Sequence, residues 1–266
     1  MALAAVLALA AVVAVAAAVV RRPLPDHAGT VQVPGLEDEV RVLRDARGVP
    51  TIEASTAEDL FAAQGYVHAQ DRFFEMDYRR HVTAGRLSEL VGENEDALAA
   101  DRVIRTFGWR RVAEEEWSLL DPATRRYLEA YADGVNAYLA DHGSQGLAFE
   151  YTVLGLQVDV GEPEPWDPVD SLAWLKAMAW DLRANYDEEL ARGLSYTTVR
   201  DVARVDELFP RYPEAEHLPI VSPAVDEPTG EAVLPARGDA AALPADLERA
   251  LDDARTAIDA IPTLVG

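Results

Sequence analysis

The chain has 266 residues, of which 47 are acidic and 24 basic, for a formal net charge of -23. A field of that sign repels a phosphate backbone and argues against nucleic acid as a partner. The absence of cysteine rules out disulfides, thiolate catalysis and cysteine-based zinc sites, while 49% apolar content suffices for a substantial core in one or two domains.

Residues 2–20 are an unbroken run of Ala, Val and Leu followed by Arg21 and Arg22. The run reaches the roughly 20 residues that a membrane span needs, although alanine makes it only weakly hydrophobic. The basic segment that opens a secretory signal is missing, and arginines behind the run would favour the cytoplasmic side. The expectation is export, to the periplasm or outside, with residues 1–22 as either a signal or a membrane anchor. Residues 23–39 read as a Pro/Gly-bearing linker. Folding then begins with the alternating strand Val40-Arg41-Val42-Leu43-Arg44-Asp45, a turn over Ala46–Pro50, and a short return strand Thr51–Ala54.

Three helices are predicted from their caps. Ser55-Thr56-Ala57-Glu58 has the pattern of a capping box, with the Ser55 hydroxyl on the N3 amide and Glu58 reaching back. Leu60, Phe61, Val67, Phe74 and Met76 supply an apolar face behind it. Asp121-Pro122 opens a second helix, whose stripe of Tyr127, Leu128, Tyr131, Val135, Tyr138 and Leu139 runs to near Gly143. Asp167-Pro168 opens a third with Leu172, Trp174, Leu175, Met178 and Leu182. From Pro223 onward aromatics vanish and nine acidic residues face three basic ones. Residues 223–266 therefore read as a spacer, with a possible helix at 244–260.

No phosphate loop, nucleophile elbow or metal-spaced histidine pair is present among the five histidines. The best local cluster is His68, Asp71 and Glu75 at i, i+3 and i+7, which could hold a metal or work as acid and base. A partly buried helix with ordinary bonds is the plainer reading. Arg72, Arg79 and Arg80 beside Asp71, Glu75 and Asp77 read as a salt-laced face.

Longer words along the chain are more telling. Leu43–Pro50, Ala63-Gln64-Gly65-Tyr66-Val67-His68-Ala69-Gln70-Asp71-Arg72, Met76, Arg79-Arg80 and Gly85-Arg86-Leu87-Ser88-Glu89 stand in this order. With Tyr131–Ala137 and Met178–Leu182 they resemble the penicillin acylase family, in the part of its precursor that becomes the α subunit. The likeness covers about Val40 to Leu194. It implies an α+β fold, mainly helical in this chain and completed by a β subunit into an αββα N-terminal-nucleophile hydrolase sandwich. Residues 40–222 would be the α-subunit domain.

The resemblance also implies self-cleavage at a Gly-Ser bond, so that Gly266 would precede the nucleophilic serine of the β subunit and no catalytic residue lies in this chain. A free α-amino group, with pKa roughly 7.7–8.0, serves there as base for its own hydroxyl, so no histidine is needed. By the same likeness Met178 and Leu182 line an acyl pocket, with Asp181 between them, and Glu188 binds calcium jointly with the β subunit. Asp187 or Glu189 takes that role if the register slips by one. Asp181 stands where benzylpenicillin-cleaving members carry a basic residue, and Trp180 also differs. The small-molecule N-acyl amide substrate could thus be a penicillin, a long-chain acyl-homoserine lactone or a cyclic lipopeptide. Thr51 replaces a common histidine and should affect packing only. Two other classes remain open: a non-catalytic envelope scaffold, and a metal-dependent hydrolase centred on His68, Asp71 and Glu75.

Overall fold

The computed structural model describes residues 2–182, 185–210 and 246–259, and most of them are helical. In chain order come α1 (Ala2–Arg21), strands β1 (Arg41–Arg44) and β2 (Pro50–Glu53), then α2 (Ala57–Ala84), α3 (Leu87–Val91), α4 (Glu95–Phe107) and α5 (Trp109–Trp117). These are followed by α6 (Pro122–Ala140), α7 (Ser144–Leu147), α8 (Phe149–Leu154), α9 (Pro168–Asp181), α10 (Tyr186–Val199), α11 (Val202–Leu208) and α12 (Leu247–Asp259). Residues up to Leu182 form one unit, and α10 to α12 a second. Of the spacer expected at 223–266, residues 223–245 and 260–266, Gly266 among them, lie outside the described residues, as do 211–222.

The two strands pair antiparallel with Val42 opposite Ile52. Asp45 closes the turn by accepting the amides of Arg47 and Val49 at 2.8 and 2.9 Å. The sheet is fastened to α2 by Arg44, whose guanidinium donates to both Asp71 oxygens at 2.9 Å and to Gln70 Oε1 at 2.8 Å. Directly after those two residues α2 breaks: Arg72 has φ -145° and ψ 22°, with neither proline nor glycine at the break. The Asp121 and Asp167 caps form as expected, each carboxylate accepting an amide of the first turn. At α2 the expectation is corrected. Thr56, not Ser55, is the N-cap, taking the Asp59 amide at 3.1 Å, and Glu58 pairs outward with Arg126 instead of reaching back.

The helix α2 packs most extensively on α6, and the stripe of large side chains predicted for it holds only in part. Val67 is buried and Phe74 and Met76 pack on the core, but Leu60 is exposed, and Ala62, Ala63, Gly65 and Ala69 are buried instead. Small residues lie there because the two backbones nearly touch. A Cβ on Gly65 would sit 2.0 Å from the Tyr131 carbonyl oxygen, and one on Gly134 would sit 1.8 Å from that of Ala62. Beside this seam the core fills with Phe73, Val135, Tyr138, Tyr151 and Trp166. Val82, Leu87, Ile104, Trp109 and Ala177 form a second cluster under α4, α5 and α9. Both α4 and α5 escaped the sequence reading, although Asn94 caps α4 on the amides of Asp96 and Ala97 and Gly108 closes it. In the second unit, α12 packs on α10, with Leu251 against Gly193, in line with the helix expected at 244–260.

In α1 the apolar side chains project in every direction, with Leu3, Val6, Leu9, Val12 and Val15 all exposed. Among the described residues no helix is long and apolar enough to cross a membrane.

Since backbone oxygens cannot retreat as side chains do, Gly65→Ala and Gly134→Ala should each cost about 3 kcal/mol or more. Gly146→Ala, where a Cβ meets only His142 Cβ at 3.9 Å, should change stability by less than about 0.5 kcal/mol. Denaturant unfolding of the three variants checks this.

Candidate functional site

Four aspartates are buried in the first unit: Asp59, Asp77, Asp101 and Asp170, at 1, 2, 6 and 3% exposure. A buried carboxylate must be bonded, and each of these is. Asp59 accepts the amides of Glu37 and Asp38, so the end of the linker is clamped to α2. Asp101 accepts the Leu87 and Ser88 amides and fixes the start of α3.

Asp77 and Asp170 belong to one network. Arg80, only 4% exposed, donates to Asp77 Oδ1 at 3.0 Å and to the carbonyls of Glu164 and Pro165 at 2.9 and 3.1 Å. Its guanidinium lies 3.8 Å from Asp170. Asp170 completes a capping box on the Asp167 amide and also bonds Arg110. Tyr151 donates to Asp77 Oδ2 at 2.7 Å. Burial alone would raise the Asp77 pKa. The His81 hydrogen bond and the Arg80 charge outweigh it and hold the group at about 2. Burial likewise opposes charging of His81, but its bonds to Asp77 prevail and raise its pKa. For Asp170 burial wins, and the pKa is raised despite Arg110 and Arg80. The i, i+3 pair Asp77/Arg80, read from the sequence as part of a salt-laced face, is thus a buried tie between α2 and α9. Only its neighbour Arg79, paired with Glu75, fits the earlier description.

Between α2, α6 and α9 lies a cavity of about 540 Å³, within the range of small-molecule sites. Its wall joins the rings of Phe61, Tyr127, Tyr131, Trp166 and Trp174 to polar side chains, among them Gln64, Thr83, Thr124 and Ser171. Phe61 stacks on Tyr127 with centroids 5.1 Å apart, and the Arg79 guanidinium sits 4.3 Å from the Trp174 ring centre. At the rim His68 Nδ1 lies 2.9 Å from the Tyr131 hydroxyl. Loss of water lowers the His68 pKa against the pull of Asp71, and burial pushes Tyr131 up to about 12.

The alternative metal cluster at His68, Asp71 and Glu75 does not assemble, and the plainer reading of ordinary helix bonds holds. The break at Arg72 puts His68 and Glu75 out of helical register, Asp71 is occupied by Arg44, and Glu75 by Arg79. Among the described residues no three acidic or histidine side chains converge.

The residues singled out by the family likeness sit elsewhere. Met178, half-buried, and Leu182, 75% exposed, stand one turn apart at the C-terminal end of α9, joined by the Leu182 amide to the Met178 carbonyl at 3.0 Å. Asp181 between them is half-buried. None of the three lines the cavity. Trp180 packs at a tilt on Phe107 and Trp109, with ring centroids 5.0 and 6.3 Å away, against the cluster beneath α9. Glu188 is exposed in the first turn of α10, in the second unit, between Asp187 and Glu189.

A profile of the penicillin amidase family matches residues 39–246. The chain belongs to the penicillin amidase family. It is 39% identical over 155 residues to penicillin acylase 2 proenzyme of Pseudomonas sp. (strain SE83), covering 58% of this chain and 19% of that protein. It is 37% identical to acyl-homoserine lactone acylase QuiP of Pseudomonas aeruginosa, over 74% of this chain and 22% of the relative. The chain thus spans about a fifth of the length of these penicillin amidase relatives. A solved chain of thermostable penicillin G acylase from Alcaligenes faecalis superposes with a TM-score of 0.52 at 26% identity. The match covers 75% of this chain and 98% of the solved one.

The network sets a pH window. The Asp77 pKa is depressed, so its contribution is complete above the unfolded carboxylate value and is lost as pH falls toward 2. That of His81 is raised, so its contribution is complete below its unfolded value and is lost as pH rises through the folded one. The contributions of Asp77 and His81 should therefore both be complete between about pH 4 and 6.5. Asp77→Asn, which strands the buried Arg80, should cost about 3–5 kcal/mol and flatten both limbs of a plot of unfolding midpoint against pH.

Proposed function

We propose that this chain is the α subunit of a self-processing acylase, which hydrolyses a small-molecule N-acyl amide with an N-terminal serine carried by a β subunit of the same precursor. One observation carries the reading: the solved penicillin G acylase chain is matched over 98% of its own length, although the full-length relatives are some five times longer than the matched part. A separate polypeptide of this extent therefore exists in an enzyme of the family.

On this reading the β subunit supplies most strands of an αββα sandwich as well as the reacting atoms. Its serine hydroxyl adds to the amide carbonyl while the serine's own α-amine takes the proton and passes it to the departing amine. Water then cleaves the ester. This chain contributes a wall. Met178 and Leu182 present adaptable apolar surface to an acyl chain, and Asp181 supplies a carboxylate beside it. Relatives named as penicillin acylase and as acyl-homoserine lactone acylase match about equally well, so both acyl classes are candidate substrates. The apolar exposure of α1 supports export of the precursor.

Calcium is the proposed structural ion. Hard carboxylate oxygens suit it, and the exposed Glu188 is such a donor. The described residues bring no three acidic groups together, so Glu188 would hold the ion only jointly with the β subunit. The metal-hydrolase alternative is not favoured, because His68, Asp71 and Glu75 are each bonded elsewhere. No observation favours a non-catalytic scaffold.

Expression of the complete gene product should yield two polypeptides by mass spectrometry and release of acid from penicillin G or an acyl-homoserine lactone. Replacing the first β-subunit serine by alanine should leave one uncut, inactive precursor; cleavage persisting in that variant would sink the mechanism. Separately, chelation of the mature enzyme by EGTA should lower its melting temperature by several degrees, about 1–3 kcal/mol, and Glu188→Gln should abolish the difference.

A further inference from the structure

We infer that the cavity between α2, α6 and α9 is a binding site for a flat, uncharged heteroaromatic molecule that carries an N–H beside a C=O. None of Met178, Asp181 and Leu182 lines it, so it is separate from the acyl wall proposed above and needs neither self-cleavage nor turnover.

Shape points to a flat occupant. The helix α2 lines the cavity with Phe61, Gln64 and His68 before its break and with Met76, Arg79 and Thr83 behind it. Each set follows the i, i+3, i+7 spacing of one helix face, and the break at Arg72 lies between them. Tyr127 and Tyr131 come from α6 and Trp174 from α9. Rings contributed by three helices favour a planar aromatic molecule, which gains contact area and offset stacking. A hollow of about 540 Å³ has room for two fused rings.

Charge points to a neutral one. Arg80 is held by Asp77, Arg79 by Glu75 and Asp170 by Arg110. With the ions of the wall matched to one another, a charged ligand would lose its water without gaining a counter-ion.

The hydrogen-bonding groups left over select the edge of the ring. The half-buried Gln64 carboxamide makes no hydrogen bond to any described residue. On the α9 side, the Ser171 hydroxyl accepts the Trp166 indole N–H at 3.2 Å and keeps its own proton to donate. A carboxamide offers one acceptor and one donor side by side. Its complement is a ring edge with N–H next to C=O, as in a lactam.

The probe is carbostyril, a fused-ring lactam, titrated calorimetrically into the complete gene product. It should bind with a Kd of about 1 mM or tighter. N-methylcarbostyril, which lacks the donor, should bind at least about tenfold more weakly, and Gln64→Leu should weaken carbostyril by a similar factor. Since the Gln64 amide bonds nothing in the protein, that variant should melt within about 3 °C of the unaltered one. A measurement on the unaltered protein then places the site: peroxide oxidation read by peptide mass spectrometry. Saturating carbostyril should slow oxidation of Met76, on the cavity wall, at least about fivefold and leave Met178 unchanged. Absence of carbostyril binding overturns the proposal, as does equal binding of the N-methyl derivative or undiminished binding to Gln64→Leu. Protection of Met178 in place of Met76 overturns it too, because the probe then sits on the acyl wall. An uncut, inactive gene product in which Met76 alone is protected removes the acylase reading and leaves this site standing.

Discussion

The contact on which the rest of the structure depends is the one between the backbones of α2 and α6. At Gly65 and Gly134 each helix lies against a carbonyl of the other, at a separation that a single methyl group would forbid. That approach fixes how α2 and α6 cross. It also explains why α2 buries Ala62, Ala63, Gly65 and Ala69 along the seam. Phe73 turns into the core beside the seam, whereas Phe61 and Met76 face the cavity.

The position of α9 is set by charge. Arg80 reaches from α2 to the carbonyls just before α9, and Asp170 in its first turn answers both Arg80 and Arg110. Buried ion pairs add little net stability compared with apolar packing, but removing one partner is costly because a bare charge is left behind. Such a network gives specificity of placement. It holds the N-terminal end of α9, and Trp180, packed at a tilt on Phe107 and Trp109, holds the far end. The helix that carries Met178, Asp181 and Leu182 is therefore fixed at both ends while the face bearing Leu182 stays exposed.

Helix starts with an aspartate before proline were legible because the signal is local: Asp121 and Asp167 cap with their own side chains, and no distant residue alters the outcome. The start of α2 was misplaced by one residue because Ser55 and Thr56 are both able to cap, and only tertiary position decides between them. What α2 buries was legible only in part: Val67 is buried and Phe74 and Met76 pack on the core as expected, but Ala62, Ala63, Gly65 and Ala69 were missed. Hydrophobic periodicity ranks large apolar residues above glycine, whereas the packing partner here is a backbone, which prefers glycine. The break at Arg72 was equally hidden, since no proline or glycine marks it, and with it went the apparent alignment of His68, Asp71 and Glu75. The family words were legible as words. Their physical content emerges only in three dimensions, where Gly65, Asp71 and Arg80 prove to be a seam residue, a strand fastener and a buried tie.

Asp71 and Arg80 also show how a chain of this family can be rich in conspicuous charged residues and yet hold no assembled cluster of acidic groups and histidines among its described residues. Asp71, Asp77, Arg80 and Asp170 are all spent on structure: each has a stated partner, and the shifts at Asp77 and His81 follow from those partners. A catalytic carboxylate or imidazole needs the opposite arrangement, with a perturbed pKa and an open approach for substrate. Of the histidines, His68 comes nearest, at the rim of the cavity with a lowered pKa, but its Nδ1 meets a tyrosine hydroxyl that stays protonated to about 12, a pairing that orients the ring without activating a nucleophile. The groups that would be free to meet a substrate are the apolar ones on α9. A surface of that kind can hold an acyl chain but offers no group able to break a bond, so among the described residues α9 contributes packing surface and not reacting atoms.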